Sequence, residues 1–420
     1  MLDNLLKENI ENPTQLEKLY QSDKKGFEQS FFHIYKDIST FRSAEFWKAR
    51  LEFDHAADNK WLFDKKELLF VLISCIITGL LIKTPQIFNF NGKDFFFYEK
   101  NAALIVFLGL SLYSLLTKEV VSKKNLIISA GTFLITAIYI NLLPSVRESQ
   151  SMNLAFFHLP LLCWCLYGWI FINFETRDLT RRIDYLRYNG DLAILSGLIL
   201  IAGVILAGVT IGLFRAIDLR IDVFYRNYIA IWGAVSAPVV ATYVIRSYPI
   251  VTNKIAPIIA AIFRPLVLIT LVIYLISIPF GGKNPYQDRN FLLIFNIMLL
   301  GVMGLITFSV SEISVGRKQK FNEIVILLIV ALTLIIDLVA LSAILYRVGE
   351  FGFSPNRLAV LGSNLLIFCN LIFILRDLYR VNFKQKEIGQ VAMTIAKFLP
   401  IYALWTLLVV FGFPLIFGLF

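Results

Sequence analysis

The chain has 420 residues, of which 57% are hydrophobic and 17% charged, and it carries a formal net charge of +10. An ordinary soluble domain is about 45–50% apolar and about 25% charged, so this composition, with a mean hydropathy of +0.70, excludes a soluble globular protein. The apolar residues fall in blocks of about 16–24, the length that lets a helix cross a bilayer, so the basic excess is assigned to loops beside anionic lipid headgroups and no nucleic-acid partner is expected.

The first apolar block starts near Leu68, after a long charged stretch, so no secretory signal peptide is expected. Residues 1–66 read as a small helical segment, cytoplasmic or interfacial. Asn12-Pro13-Thr14 is a helix start, followed by Leu16, Leu19 and Tyr20 on one face. Phe27, Phe31, Ile34, Tyr35 and Ile38 repeat at helical spacing, and Ser43 to Phe53 carries Phe46, Trp47 and Leu51. Sixty-six residues are too few for an enzyme domain. They suit a docking platform for a cytoplasmic protein partner, or an amphipathic collar lying on the membrane.

Residues 67–420 read as a transmembrane helix bundle, which makes the chain an all-α polytopic protein. Eleven candidate spans follow in order: 68–82, 102–117, 125–143, 153–173, 192–214, 227–245, 255–279, 290–308, 323–345, 358–375 and 398–420. The first is short, with Lys83 expected to snorkel at its end. The stretch Glu175 to Tyr188 reads as a membrane-surface helix, with Leu179, Ile183 and Leu186 among arginines. The fifth span has a small-residue face of Ala202, Gly203, Ala207, Gly208 and Gly212, suited to close helix packing. Pro257 and Arg264-Pro265 interrupt the seventh block. It reads either as an interfacial helix followed by a short span, or as a broken, re-entrant helix of the kind transporters use. The fourth and tenth spans end on similar strings, Arg177-Asp178-Leu179-Thr180-Arg181 and Arg376-Asp377-Leu378-Tyr379-Arg380, which is chance or a tandem duplication.

The loops expected on the inner side carry seventeen lysines and arginines against eleven on the outer side. By the positive-inside rule the N-terminus is cytoplasmic and the C-terminus periplasmic or extracellular.

Asp337 is the sharpest chemical signal. It sits in an otherwise apolar run, where a carboxylate costs on the order of 2.5–3.5 kcal/mol on insertion scales. It is either a proton, cation or substrate site, or an interhelical hydrogen bond. The outer loop after it, Tyr346 to Arg357, is dense in polar groups and turn formers. Gly349 and Gly352 allow tight backbone geometry. Ser354 and Pro355 suit an N-cap and first helical position. Arg347 and Arg357 are expected to bind an anionic headgroup or pair with Glu350 and Asp337. Asp337, Arg347, Glu350, Asn356 and Arg357 are therefore the substrate or ion site candidates. Glu312, at the end of the eighth span, is weaker. His158, Asn296, Asn364 and Asn370 lie inside spans and read as interhelical hydrogen bonds.

The four cysteines, Cys75, Cys163, Cys165 and Cys369, all lie in apolar blocks, and the three histidines are far apart in sequence. Neither set has metal-site spacing. No Walker A loop, G-x-S-x-G, H-E-x-x-H or dinucleotide fingerprint occurs. No catalytic residue, cofactor or metal is assigned.

The run Tyr346 to Arg357, continuing through Leu358-Ala359-Val360-Leu361 and Asn364, resembles a bacterial family of multi-spanning membrane proteins known only as a domain of unknown function. The strings Asn12-Pro13-x-x-Leu16-Glu17-x-Leu19-Tyr20 and Phe46-Trp47-Lys48-Ala49-Arg50-Leu51 are similar to the same group. The resemblance implies a bacterial inner-membrane, many-helix bundle and carries no activity with it. Three readings follow: a transporter or permease with Asp337 as coupling site, a membrane enzyme acting on a lipid-linked substrate, or a scaffold or sensor signalling through residues 1–66.

Overall fold

The computed structural model describes the backbone of all residues except 1, 59–64, 119–120, 217, 278–285, 287–288, 314–319 and 419–420. Side chains are described except there and at 25, 53–58, 216, 249–256, 289–293 and 312–313, which places the Glu312 side chain outside the described residues. The chain divides into two units, Met1–Leu68 and Leu69–Phe420.

The first unit is built from α1 (Leu2–Glu8), α2 (Pro13–Ser22), α3 (Lys24–Ile38) and α4 (Arg42–Asp58). Asn12 starts α2 by accepting a hydrogen bond from the Gln15 amide at 3.2 Å, with Pro13 in the first turn where no N–H is needed. Asp23 does the same for α3 through the Gly26 amide, at 3.0 Å. The aromatic residues then close on one another. Phe27 packs edge-on to Tyr20 at 5.5 Å and against Trp47 at 4.8 Å, and all three are buried with Leu6, Leu16 and Phe31. The apolar face that could have lain on a membrane is thus buried in the unit's own core, because four helices present complementary stripes to each other.

Two ion pairs and a hydrogen bond tie these helices together: Arg50 to Glu17 at 2.6 Å, Lys7 to Asp37 at 2.5 Å, and His33 to the Asp3 carboxylate at 3.0 Å. The Arg50 hydrogen bond holds the Glu17 carboxyl below its ordinary range, and the Lys7 hydrogen bond does so for Asp37. Asp3 is lowered by its hydrogen bonds to Ser30 and then His33. A carboxyl with a lowered folded pKa adds stability above its unfolded pKa and loses it as pH falls through the folded one. Glu17→Gln is therefore expected to weaken hydrogen-exchange protection of α2 and α4 at about pH 6 and to change little at about pH 3. An equal effect at both values would show that this ion pair does not stabilise the unit.

The boundary falls in the first turn of α5 (Lys65–Ile82), and the second unit holds the rest of that helix, α6 (Thr84–Ile87), α7 (Phe97–Leu116), α8 (Lys123–Leu142) and α9 (Gln150–Phe171). It continues with α10 (Leu179–Ala216), α11 (Asp222–Phe224), a π-helical turn at Tyr225–Ala230, α12 (Ile231–Ser247) and α13 (Pro249–Ser277). It ends with α14 (Arg289–Ile313), α15 (Lys320–Phe351), α16 (Pro355–Lys384), α17 (Gly389–Leu407), a second π turn at Leu408–Gly412 and α18 (Phe413–Phe417). Among the described residues there is no strand, and ten helical segments are long and apolar enough to cross a membrane. The chain is an all-α polytopic membrane protein. The first expected span, α5, is not among the ten, having 18 residues that open on Lys65-Lys66-Glu67. It is held inside the bundle all the same. Trp232 of α12 donates its indole N–H to the Cys75 carbonyl at 3.0 Å, and a Cβ at Gly79 would overlap that indole.

Helix C-termini leave carbonyls without partners, and basic side chains reach across to them. Lys118 donates to the Ile170 carbonyl at 2.6 Å, Arg246 to Thr117 at 3.0 Å and Arg187 to Ser311 at 2.8 Å. Arg182 donates at 3.0 Å to the Ala396 carbonyl, inside α17, where Pro400 four residues on has no N–H to offer it. These bonds gather the loops expected on the inner side onto one face of the unit. The loops expected outside meet on the opposite face. There Lys100 donates to the Leu143 carbonyl at 2.6 Å, Ser151 donates to Gly418 at 2.9 Å, and the Lys83 ammonium sits 4.6 Å above the Tyr228 ring. Lys83 is buried rather than snorkelling.

Several expectations change. The seventh block is one continuous helix, α13, with Pro257 and Pro265 inside it. Each proline removes one backbone donor, and the helical ladder resumes beyond it. Glu175 to Tyr188 is not a surface helix, because α10 runs unbroken from Leu179 and buries Tyr185, Leu186 and Tyr188 in the bundle. Tyr188 shares hydrogen bonds with Tyr167 of α9 at 2.8 Å and Thr242 of α12 at 2.7 Å, which fixes the direction of α10. The small-residue face of α10 packs against nothing. A Cβ at Gly203, Gly208 or Gly212 meets no atom within 4 Å, and Val204, Ile205 and Val209 are exposed. The twin strings also diverge. Asp178 accepts from the Thr180 amide at 2.9 Å in a loop, whereas Asp377 lies within α16 and accepts from the Thr394 hydroxyl at 2.6 Å. Their likeness does not extend to structure.

Candidate functional site

Asp337 lies midway along α15, fully buried, and neither carboxylate oxygen has a hydrogen-bond partner. Ile336, Ala340 and Leu341 around it belong to the apolar core. The expected interhelical hydrogen bond is therefore not formed.

The other candidates do not join it. Residues Tyr346–Phe351 are helical rather than loop, since α15 runs on until Gly352, whose φ of 71° ends it. At 1.5 Å per residue, Arg347 is about 15 Å and Glu350 about 20 Å along the helix from Asp337. The connection to α16 is only Gly352 to Ser354. Ser354 caps α16 by accepting from the Arg357 amide at 3.4 Å. Arg357 donates to the Phe351 and Gly352 carbonyls at 2.8 and 2.9 Å and sits over the Phe351 ring. It closes the end of α15 instead of pairing with Glu350 or Asp337. Among the described residues, neither Arg347 nor Glu350 forms an ion pair; one guanidinium nitrogen of Arg347 is buried without a partner, and Glu350 is exposed. Asn356 is half-buried in the first turn of α16.

The structure offers a different centre, a cavity of about 900 Å³ walled by α9, α10, α13, α14, α16 and α17. It extends from Leu154 and Ala359, about one turn inside one face, to Leu186 and Ile395, about two turns inside the other. Among the described residues its wall holds no lysine, arginine, aspartate or glutamate.

Most of its polar groups are already satisfied. The Trp164 indole donates to Asn189 at 2.9 Å, and the Trp405 indole to the Ser363 hydroxyl at 2.9 Å. Asn370, just behind the wall, donates to the Tyr402 hydroxyl at 3.0 Å, so this asparagine does make the interhelical bond its position predicts. Nδ1 of His158 lies 2.9 Å from the Leu154 carbonyl on its own helix. A carbonyl only accepts, so Nδ1 carries the proton and Nε2 of a neutral ring is an acceptor.

Two amides are different. Asn364, only 2% exposed, has its Nδ2 buried without a partner, and Asn296 has its Oδ1 in the same condition. Both line the cavity. Their reading as interhelical hydrogen bonds is corrected: they meet space rather than each other's helices. An asparagine in an apolar block was visible in the sequence, but its convergence with another from a distant helix was not. Tyr402 lines the cavity and is held by its bond from Asn370. Asp337 itself is not part of the wall.

No protein-family model matches the chain, and neither a curated protein nor a solved structure matches it.

Proposed function

We propose that this integral membrane protein is a permease that carries a small molecule through the cavity between α9, α10, α13, α14, α16 and α17, with Asp337 of α15 as the ionisable coupling group. The observation that carries this reading is the cavity's length, which leaves about one turn of helix at one end and about two at the other. A site so nearly bridging the bundle needs only small helix movements to open to either side. The unpartnered, buried Asp337 supports the coupling role, since an intramembrane ionisable group is a functional candidate by default. In the same proposal the protein sits in a bacterial inner membrane, and the face bearing Lys118, Arg182 and Arg246 is cytoplasmic, beside anionic headgroups. The separately cored first unit is then a cytoplasmic platform for a partner protein.

Cys165, a native residue of the cavity wall, provides the test. Cys75, Cys163 and Cys369 are replaced by alanine, and a small membrane-impermeant thiol reagent is applied to right-side-out and inside-out vesicles. Labelling of Cys165 from both sides at comparable rates is expected. Labelling from one side only, or from neither, refutes the permease.

A further inference from the structure

The geometry points to an uncharged, largely apolar molecule with one hydrogen-bonding head group as the occupant of this cavity, its head held by Asn296 and Asn364. This deepens the permease reading in that it rests on the cavity being the substrate site, though not on transport.

Three observations lead to it. The first is depth. Asn296, His158 and Asn364 are the eighth, ninth and tenth residues of α14, α9 and α16. All three helices enter from the same face, so the helical rise puts the three side chains about 10–14 Å below it. They form one polar belt inside an apolar shaft.

The second is satisfaction. A buried amide without a partner costs about 1–3 kcal/mol, which natural structures rarely leave uncompensated. Here two such amides line one cavity. A half-turn about χ2 lets either present its N–H or its carbonyl, and His158 adds an acceptor at the same level. The belt suits a hydroxyl, carbonyl or amide head.

The third is charge. Desolvating an ionised group against this wall, with no counter-charge among its described residues, costs far more than two neutral hydrogen bonds return. Leu154 and Ala359 on the shallow side of the belt, and Leu161, Leu300 and Met303 on the deep side, offer hydrocarbon contact. A volume of about 900 Å³ accepts a chain well beyond the head group.

The test uses the full chain in nanodiscs and a hexadecanol carrying a mid-chain diazirine. Two congeners with the same chain end in a carboxylate and in a trimethylammonium. Photolysis with the alcohol is expected to label cavity-wall residues of α14 and α16. Asn364→Leu and, separately, Asn296→Leu are expected to cut that labelling about 3- to 10-fold, the loss of one neutral hydrogen bond. Both variants remove an unpartnered amide, so the fold is expected to survive. The charged congeners are expected to label at least about ten-fold less. Equal labelling by a charged congener, indifference to both substitutions, or label spread over the exposed Val204, Ile205 and Val209 of α10 overturns the inference, the last being bulk partition only. The two proposals fail separately. One-sided access to Cys165 with selective alcohol labelling removes the permease and leaves the ligand class. Two-sided access without head-group selectivity does the reverse.

Discussion

Leucine in place of Asp337 is expected to stabilise the bundle by about 1–3 kcal/mol and to restrict Cys165 labelling to one side of the membrane. A buried polar group with no partner is a net cost to the fold, and its removal by an apolar residue of similar volume returns that cost. Asp337 is completely buried and both its oxygens are unpartnered. Asparagine, which stays polar and unpartnered, is expected to lie between aspartate and leucine in stability. Thermal unfolding in detergent measures the first effect, and thiol accessibility the second. A destabilised Asp337→Leu protein that still admits reagent from both sides would make Asp337 a structural group and remove it from the mechanism.

Alanine at Gly362 is expected to cost about 1–3 kcal/mol, the range for overpacking a tight contact, and to abolish photolabelling by the long-chain alcohol. A Cβ at Gly362 would overlap the Trp405 indole, which also lines the cavity and is held by its bond to Ser363. The ring must then swing away from α16, breaking that bond, and the cavity is the space open to it. Gly304 provides the contrast. It lines the same cavity, yet a Cβ there meets nothing within 4 Å. Gly304→Ala is expected to be neutral or to stabilise α14 by up to about 1 kcal/mol through helix propensity alone. Equal stability and equal labelling for both variants would mean that Trp405 does not shape the site.

The membrane class was legible because it depends on composition and on block length, which are properties of sequence alone. Local starts were legible for the same reason. Asn12, Ser354 and their following prolines act within one turn, so the residues that decide the cap are adjacent in sequence. The end of α15 was misplaced because apolarity stops at Leu345 while helical hydrogen bonding does not. No proline falls between Tyr346 and Glu350, Gly349 is carried within the helix, and the chain turns only where Gly352 adopts a positive φ.

The sequence by itself determined that the chain is a polytopic helical membrane protein, and it marked Asp337 as a costly residue. Tertiary structure alone decided which polar residues share a site. Arg347 and Glu350 are near Asp337 in sequence, but helix rise carries them about 15–20 Å away. Asn296 and Asn364 are far apart in sequence and meet at one depth because two helices enter from one face. The small residues of α10 looked like a packing surface and face open space, while Gly79, Gly190 and Gly362 take the close contacts with Trp232, Phe308 and Trp405. Pattern along one helix says which face is smooth; only the arrangement of neighbouring helices says what that face meets.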